Sequence, residues 1–195
     1  MKGKYIKGKK ITYDGSQLHS LYAYLEHDVQ GNSILAFRGP CRVDVENLVD
    51  VEDRKNRDEI VSEEMAHFIV ELFDSDLDRT IVIQRLFLCV VKDVIEELKP
   101  ELFISRKGDD LYIEVEAEEG EEENRKLTVC VATASPISTM IHMGINVSSE
   151  NTPVPTLGLD DLGVPVDEFI LKVLQGFINE MKGMDQARCK VSGIT

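Results

Sequence analysis

Three groups of residues carry the side chains with which this chain can do chemistry. Ser135, Ser138, Thr139, His142 and Asn146 form a polar series inside an otherwise apolar stretch. His142 and Asn146 stand four apart, so on a strand they share one face, and Gly144 between them leaves room for another group to lie close. An imidazole with a pKa near neutrality serves as a general base, while Ser135 and Asn146 orient a bound molecule by hydrogen bonds. Arg38-Gly39-Pro40-Cys41-Arg42 sets two guanidinium groups about a backbone kink. Such forks suit a phosphate or a carboxylate, and the glycine lets a ligand approach the main chain. Lys126, beside Arg125, opens a strand; its ammonium can hold a carboxylate or stabilise charge developing on a transferring acyl group. Each group also has a purely structural alternative: arginines paired with the chain's own carboxylates, a solvated lysine, a histidine satisfied within the core.

Other chemistries have less support. Glu64-Met65-Ala66-His67 would place a carboxylate and an imidazole on one face of a helix, the spacing used in di-iron bundles, but that architecture needs two copies and His67 opens an apolar run that reads as a strand. Cys41, Cys89, Cys130 and Cys189 are scattered, without a C-x-x-C pair or a histidine at zinc-finger spacing, so reduced thiols and no metal are expected. Neither a phosphate loop of the G-x-x-x-x-G-K-[ST] kind nor a G-x-G-x-x-G fingerprint is present.

Charge bounds the partners. The 195 residues carry 36 acidic and 22 basic side chains, a formal charge of -14, with 43% hydrophobic residues. That excess of acid argues against nucleic acid and anionic membranes, which are bound through clustered Lys and Arg. No apolar run approaches the roughly 20 residues of a bilayer span, and no apolar core follows the basic start at Lys2, Lys4, Lys7, Lys9 and Lys10, so the chain reads as cytoplasmic. Seven glutamates between 114 and 123 hold half of the net charge.

The elements that must position these groups follow from periodicity. Leu18, Leu21, Tyr22 and Leu25 predict a helix over 16–28, and Ser33 to Val43 reads as a strand interrupted at Gly39-Pro40. Residues 44–64 read as a solvated connection and Ala66 to Phe73 as a buried strand. Ser75 with Asp78 predicts the cap of a long helix that Lys99-Pro100 stops. Period-two alternation then predicts a meander of three antiparallel strands, at 111–117, 126–134 and 139–147, the first two joined by a glutamate-rich turn at 119–124. A loop rich in proline and glycine leads to a last helix at 166–181, with Gly183 as its stop. Helices and antiparallel strands without βαβ alternation describe an α+β fold, helices packed on one face of a mainly antiparallel sheet. One domain over 1–195 is expected, with a basic N-terminal segment at 1–12 and a C-terminal tail at 183–195.

The run Ile141-His142-Met143-Gly144-Ile145-Asn146-Val147, with Leu159-Asp160-Asp161-Leu162-Gly163 and the terminal helix behind it, resembles the end of the catalytic domain of biotin protein ligases. Lys107-Gly108-Asp109-Asp110-Leu111 is similar to their Pro-Asn-Asp-Leu segment, Arg125-Lys126-Leu127 falls where their functional lysine opens a strand, and Arg38-Gly39 sits in the order of their nucleotide loop. His142 with Asn146 also resembles the His-Gly-x-x-x-Asn strand of octanoyl transferases, although no cysteine follows Asn146. Over its whole length the chain resembles an uncharacterised archaeal family, Domain of Unknown Function 366, through Tyr13-Asp14-Gly15-Ser16-Gln17-Leu18, Phe37-Arg38-Gly39-Pro40-Cys41 and Ala132-Thr133-Ala134-Ser135-Pro136-Ile137-Ser138-Thr139. The resemblance implies the fold shared by class II aminoacyl-tRNA synthetases and biotin/lipoate ligases, without an established activity.

Two functions are expected on these grounds. In the first, a pocket binds a small anionic ligand (ATP, an acyl-adenylate or a carboxylic acid). There Arg38, Gly39 and Arg42 join Lys126 in holding the anion, Ser135 and Asn146 orient the ligand, and Lys126 and His142 are the catalytic pair if an acyl group is transferred. In the second, the fold is a non-catalytic scaffold for interaction or homodimerisation, through an exposed edge of the 111–147 meander.

Overall fold

A computed structural model of the chain describes residues 1–57, 60–116 and 122–194. Two sheets form. The larger has the strand order β1-β2-β3-β8-β7, from β1 (Lys2–Lys10), β2 (Ser33–Val43), β3 (Ile60–Leu72), β7 (Thr128–Ala134) and β8 (Thr139–Asn146). The smaller holds β4 (Ile104–Lys107), β5 (Asp110–Glu116) and β6 (Glu122–Lys126). Among the described residues the β1–β2 ladder is parallel and the other ladders are antiparallel. Among the described residues the α-helices are α1 (Tyr22–His27), α2 (Val51–Asn56), α3 (Leu77–Leu98) and α4 (Val166–Arg188). This is the expected α+β class.

Alternation along the central strands decides what each sheet face meets. Ile34 and Ala36 of β2, Ala66, Phe68 and Val70 of β3, and Ile141, Met143 and Ile145 of β8 point to one side, where Phe87 and Val91 of α3 and Phe169 and Phe177 of α4 cover them. Leu35, Phe37, Met65 and Ile69 point to the other and pack against Tyr13 and the short α1. The long helices therefore occupy one face, and the second face is left partly open for a site.

Several boundaries differ from the sequence reading. Within the basic N-terminal segment, Lys2–Lys10 form the edge strand β1. The helix expected over 16–28 is confined to Tyr22–His27, because Leu21 takes a left-handed conformation (φ 68°) at its start. β2 runs unbroken through Gly39-Pro40 and absorbs the proline as a register shift between Gly39 and Cys41. The connection at 44–64 contains a 3-10 turn at Val45–Asn47, α2, and the first residues of β3. The cap of α3 is Asp76, whose carboxylate accepts the Arg79 N–H at 2.8 Å, one residue beyond the expected serine. α4 passes through Gly183 to Arg188. The expected single meander is divided: the chain breaks at Leu127, so β6 belongs to the small sheet and β7 to the large one. The glutamate-rich turn falls largely outside the described residues.

That break positions the site. The Leu127 N–H donates to the Leu111 carbonyl at 2.9 Å, and the Leu127 carbonyl accepts from Asn146 N at 3.0 Å. A single residue so ties the end of β6, which carries Lys126, to the end of β8, which carries Asn146.

Candidate functional site

A cleft of about 350 Å³ opens on the sheet face opposite the long helices. Met65, Val129 and Val131 form its apolar floor with the ring of Tyr13, and Lys126, Thr128, His142 and Asn146 bring polar atoms to it. Asp50 and Asp53 of the α2 segment stand on the wall, as do Asp109 and Asp110, while Thr152 to Thr156 of the loop after β8 complete it. Period-two geometry explains the convergence: His142 and Asn146 share a face of β8, and Val129 and Val131 share the adjoining face of β7.

Among the described residues lining the cleft, Lys126 is the only cation, and its Nζ lies 2.8 Å from Asp110 Oδ2. Burial pushes the Asp110 carboxyl above its usual range, while Lys126 pulls it down. Asp109 is held from outside the cleft by Arg85 at 3.2 Å. Four aspartates thus face one lysine, and the lining is acidic.

Beneath the cleft lies a buried pair of imidazoles. His142 Nε2 is 3.1 Å from Nδ1 of His67, and His67 Nε2 is 3.2 Å from the Gly39 carbonyl oxygen. The Tyr13 ring stacks on His142 with centroids 3.6 Å apart and an angle of 9°. Burial lowers His67 to about 4, and burial together with His67 holds His142 well below the usual imidazole value. Both rings are therefore uncharged near neutral pH. His142 is an acceptor or donor of hydrogen bonds there, and a poorer proton acceptor than a base tuned to neutrality.

Lys126, His142 and Asn146 are brought together as the sequence suggested; the other expected residues stand elsewhere. Arg38 points to the α4 side. Its Nε donates to Glu64 Oε1 at 2.9 Å, and Nη1 lies 3.8 Å from Asp167. Arg42 is exposed, and its backbone N–H donates to the Tyr13 carbonyl at 2.9 Å. Gly39 does permit a close approach, but by the chain itself: a methyl group there would overlap the Ile11 backbone, which runs alongside β2. The space above Gly144 is likewise taken, by the Met65 side chain. Ser135 lies in the β7–β8 turn, at the far end of β8 from Asn146, where its Oγ donates to the Ser138 carbonyl at 2.9 Å. Glu64 and His67, three apart on β3, point to opposite faces, which removes the helical ligand pair considered above.

Tyr13, His67, Asp110 and Thr128 are the site residues that sequence reasoning missed. His67 had a signal: it alternates with Ala66 and Phe68, which places it on the face of Met65. Its partner lies 75 residues away, and no spacing rule reaches that far. Among the described residues, no group of three or more His, Cys, Asp or Glu side chains is arranged to hold a metal ion, and no helix is long and apolar enough to cross a membrane.

Comparison with known proteins agrees with this architecture. A family model described as a domain of unknown function, DUF366, matches residues 1–192. The chain belongs to the DUF366 family. An uncharacterized protein of Methanocaldococcus jannaschii, MJ0805, is 34% identical over 184 residues, 91% of this chain and 78% of that protein. A protein of unknown function from Pyrococcus horikoshi shares the structure with a TM-score of 0.86 at 34% identity, covering 99% of this chain and 98% of that one. More distantly, the biotin protein ligase of Aquifex aeolicus, solved in complex with biotin and ATP, is similar with a TM-score of 0.56 at 17% identity over 93% of this chain and 69% of that chain. This DUF366 chain therefore has the ligase-like fold that its motifs suggested.

Proposed function

We propose that this DUF366 protein binds a small organic molecule in the cleft, with Lys126 meeting a carboxylate, Asn146 and His142 orienting the molecule, and the apolar floor receiving its body. The observation that carries this reading is the convergence of those three side chains on one concavity with an apolar floor, the usual form of a small-molecule site. The shared fold adds support, since the Aquifex aeolicus ligase was solved in complex with biotin and ATP. A monocarboxylate fits the charges better than ATP, whose phosphates would meet four aspartates and a lysine already paired with one of them. The thiol on the lining, Cys130, is pushed up to about 12 by burial, so a thiolate nucleophile is not part of the reading.

Thermal shift and native mass spectrometry against octanoate, lipoate, biotin and ATP test it. The expected result is stabilisation by at least one monocarboxylate, reduced in Lys126→Ala. No shift with any of the four, and a Lys126→Ala protein indistinguishable from wild type, would overturn it. The scaffold reading is favoured by one observation: the cations expected to grip an anion are already engaged, Lys126 by Asp110 and Arg38 by Glu64. It predicts a stable dimer in native mass spectra with no ligand response.

A further inference from the structure

The buried histidine pair fixes which kind of group the cleft can receive. A carbonyl oxygen can only accept, so His67 Nε2, 3.2 Å from the Gly39 oxygen, carries the hydrogen of that bond. His67 is uncharged, hence its Nδ1 is bare and accepts. The hydrogen in the 3.1 Å contact between the rings must then sit on Nε2 of His142. His142 is uncharged as well, so its own Nδ1 keeps a lone pair. None of the hydrogen bonds among the described residues uses that atom. The ring is 3% exposed, is clamped under Tyr13 and lines the cleft.

Nδ1 is not among the buried side-chain atoms left without a partner, so it opens on the cleft; a ligand that sealed it from water without supplying a donor would forfeit a hydrogen bond, and a backbone carbonyl dictates this acceptor through two rings. Reversing the relay would set the lone pair of His67 Nε2 against the Gly39 oxygen. We infer that the ligand of this cleft carries an N–H or O–H donor, as in a primary amide, a ureide or an alcohol, that docks on Nδ1 of His142, and that a carboxylate oxygen is rejected at that position. The inference rests on the small-molecule reading above and deepens it: Lys126 suits an acidic end, His142 a donating one. The acidic lining acts in the same direction, since aspartates favour the positive end of an N–H or O–H dipole.

Calorimetric titration of the full chain with three monocarboxylic acids tests this. They are octanoate, and octanedioate capped at one end as a primary amide or as an N,N-dimethylamide. The primary amide should bind roughly fivefold or more tightly than the dimethylamide, about the worth of one hydrogen bond. His142→Phe, which keeps a ring under Tyr13 but offers no lone pair, should abolish the difference. Nitrogen NMR of the wild-type histidines needs no variant and should show His142 protonated on Nε2 with Nδ1 bare. Equal binding of the two amides, or a His142 proton on Nδ1, would overturn the inference while leaving a small-molecule cleft intact. Failure of the primary amide to bind would also overturn this inference, and only the further failure of octanoate, lipoate, biotin and ATP would remove the small-molecule reading with it.

Discussion

The two histidines of the site owe their state to burial more than to their own type. His67 and His142 are held uncharged in the fold, whereas in the unfolded chain they titrate near the ordinary imidazole value of 6.5. As the pH falls below 6.5 the unfolded state takes up protons that the folded state refuses, so stability must decline, and it does so until the folded rings titrate, near 4 for His67. The slope approaches about 1.4 kcal/mol per pH unit for each histidine, with His27, also held down by burial, adding in the same sense. Urea unfolding between pH 6.5 and 5, above the carboxylate range, should show this loss in the wild type and a shallower one in His67→Phe; equal slopes would contradict the buried neutral pair. The legibility of the site follows the same division. His142 and Asn146 were readable because they lie four apart on one strand, and Lys126 because it opens one. Arg38 was misplaced because its carboxylate partners, Glu64 and Asp167, come from β3 and α4 and have no local signature. His67 went unread because its meaning depends on a ring 75 residues away in the chain, on the neighbouring strand β8.

Between elements, buried polar ties fix what periodicity leaves undecided. Glu71 of β3 is 3% exposed, and its Oε1 accepts from Leu21 N and from Ser138 Oγ, each at 2.7 Å. It thereby holds the left-handed start of α1 against the β7–β8 turn. Glu71→Ala should lower stability by about 2–3 kcal/mol in denaturant unfolding, since a buried and a part-buried donor lose their shared acceptor; a loss within measurement error would refute the tie. Ser135 belongs to the same corner. Ser135→Ala is expected to cost about 1 kcal/mol and to leave ligand binding unchanged, as befits a turn residue remote from the cleft. Gly39→Ala should be more damaging than its size suggests, because the added methyl meets Ile11 backbone and no flexible side chain. The long helices were legible in the sequence through their apolar stripes, as were the strands through alternation. The end of α1, the continuity of β2 through Pro40 and the division of the meander at Leu127 were not, because tertiary contacts set all three.

For the whole molecule, the net charge of -14 acquires a local counterpart. The basic segment forms the edge strand β1, where Lys7 pairs with Asp167 and Lys10 with Glu64, and a lysine-rich edge discourages pairing with a second sheet. The cleft itself is acidic, so a monocarboxylate should bind somewhat more tightly as salt is raised, the reverse of a site built from clustered arginines; weakening with salt would contradict that charge assignment. The central claim is that Lys126, His142 and Asn146 mark a small-molecule site on the open face of the sheet. Amide chemical-shift mapping during titration with octanoate tests it most directly. Saturable shifts at Tyr13, Lys126, Thr128, His142 and Asn146, with Arg38 and Ser135 unmoved, are the predicted result; shifts centred on Arg38, or none at all, would contradict it.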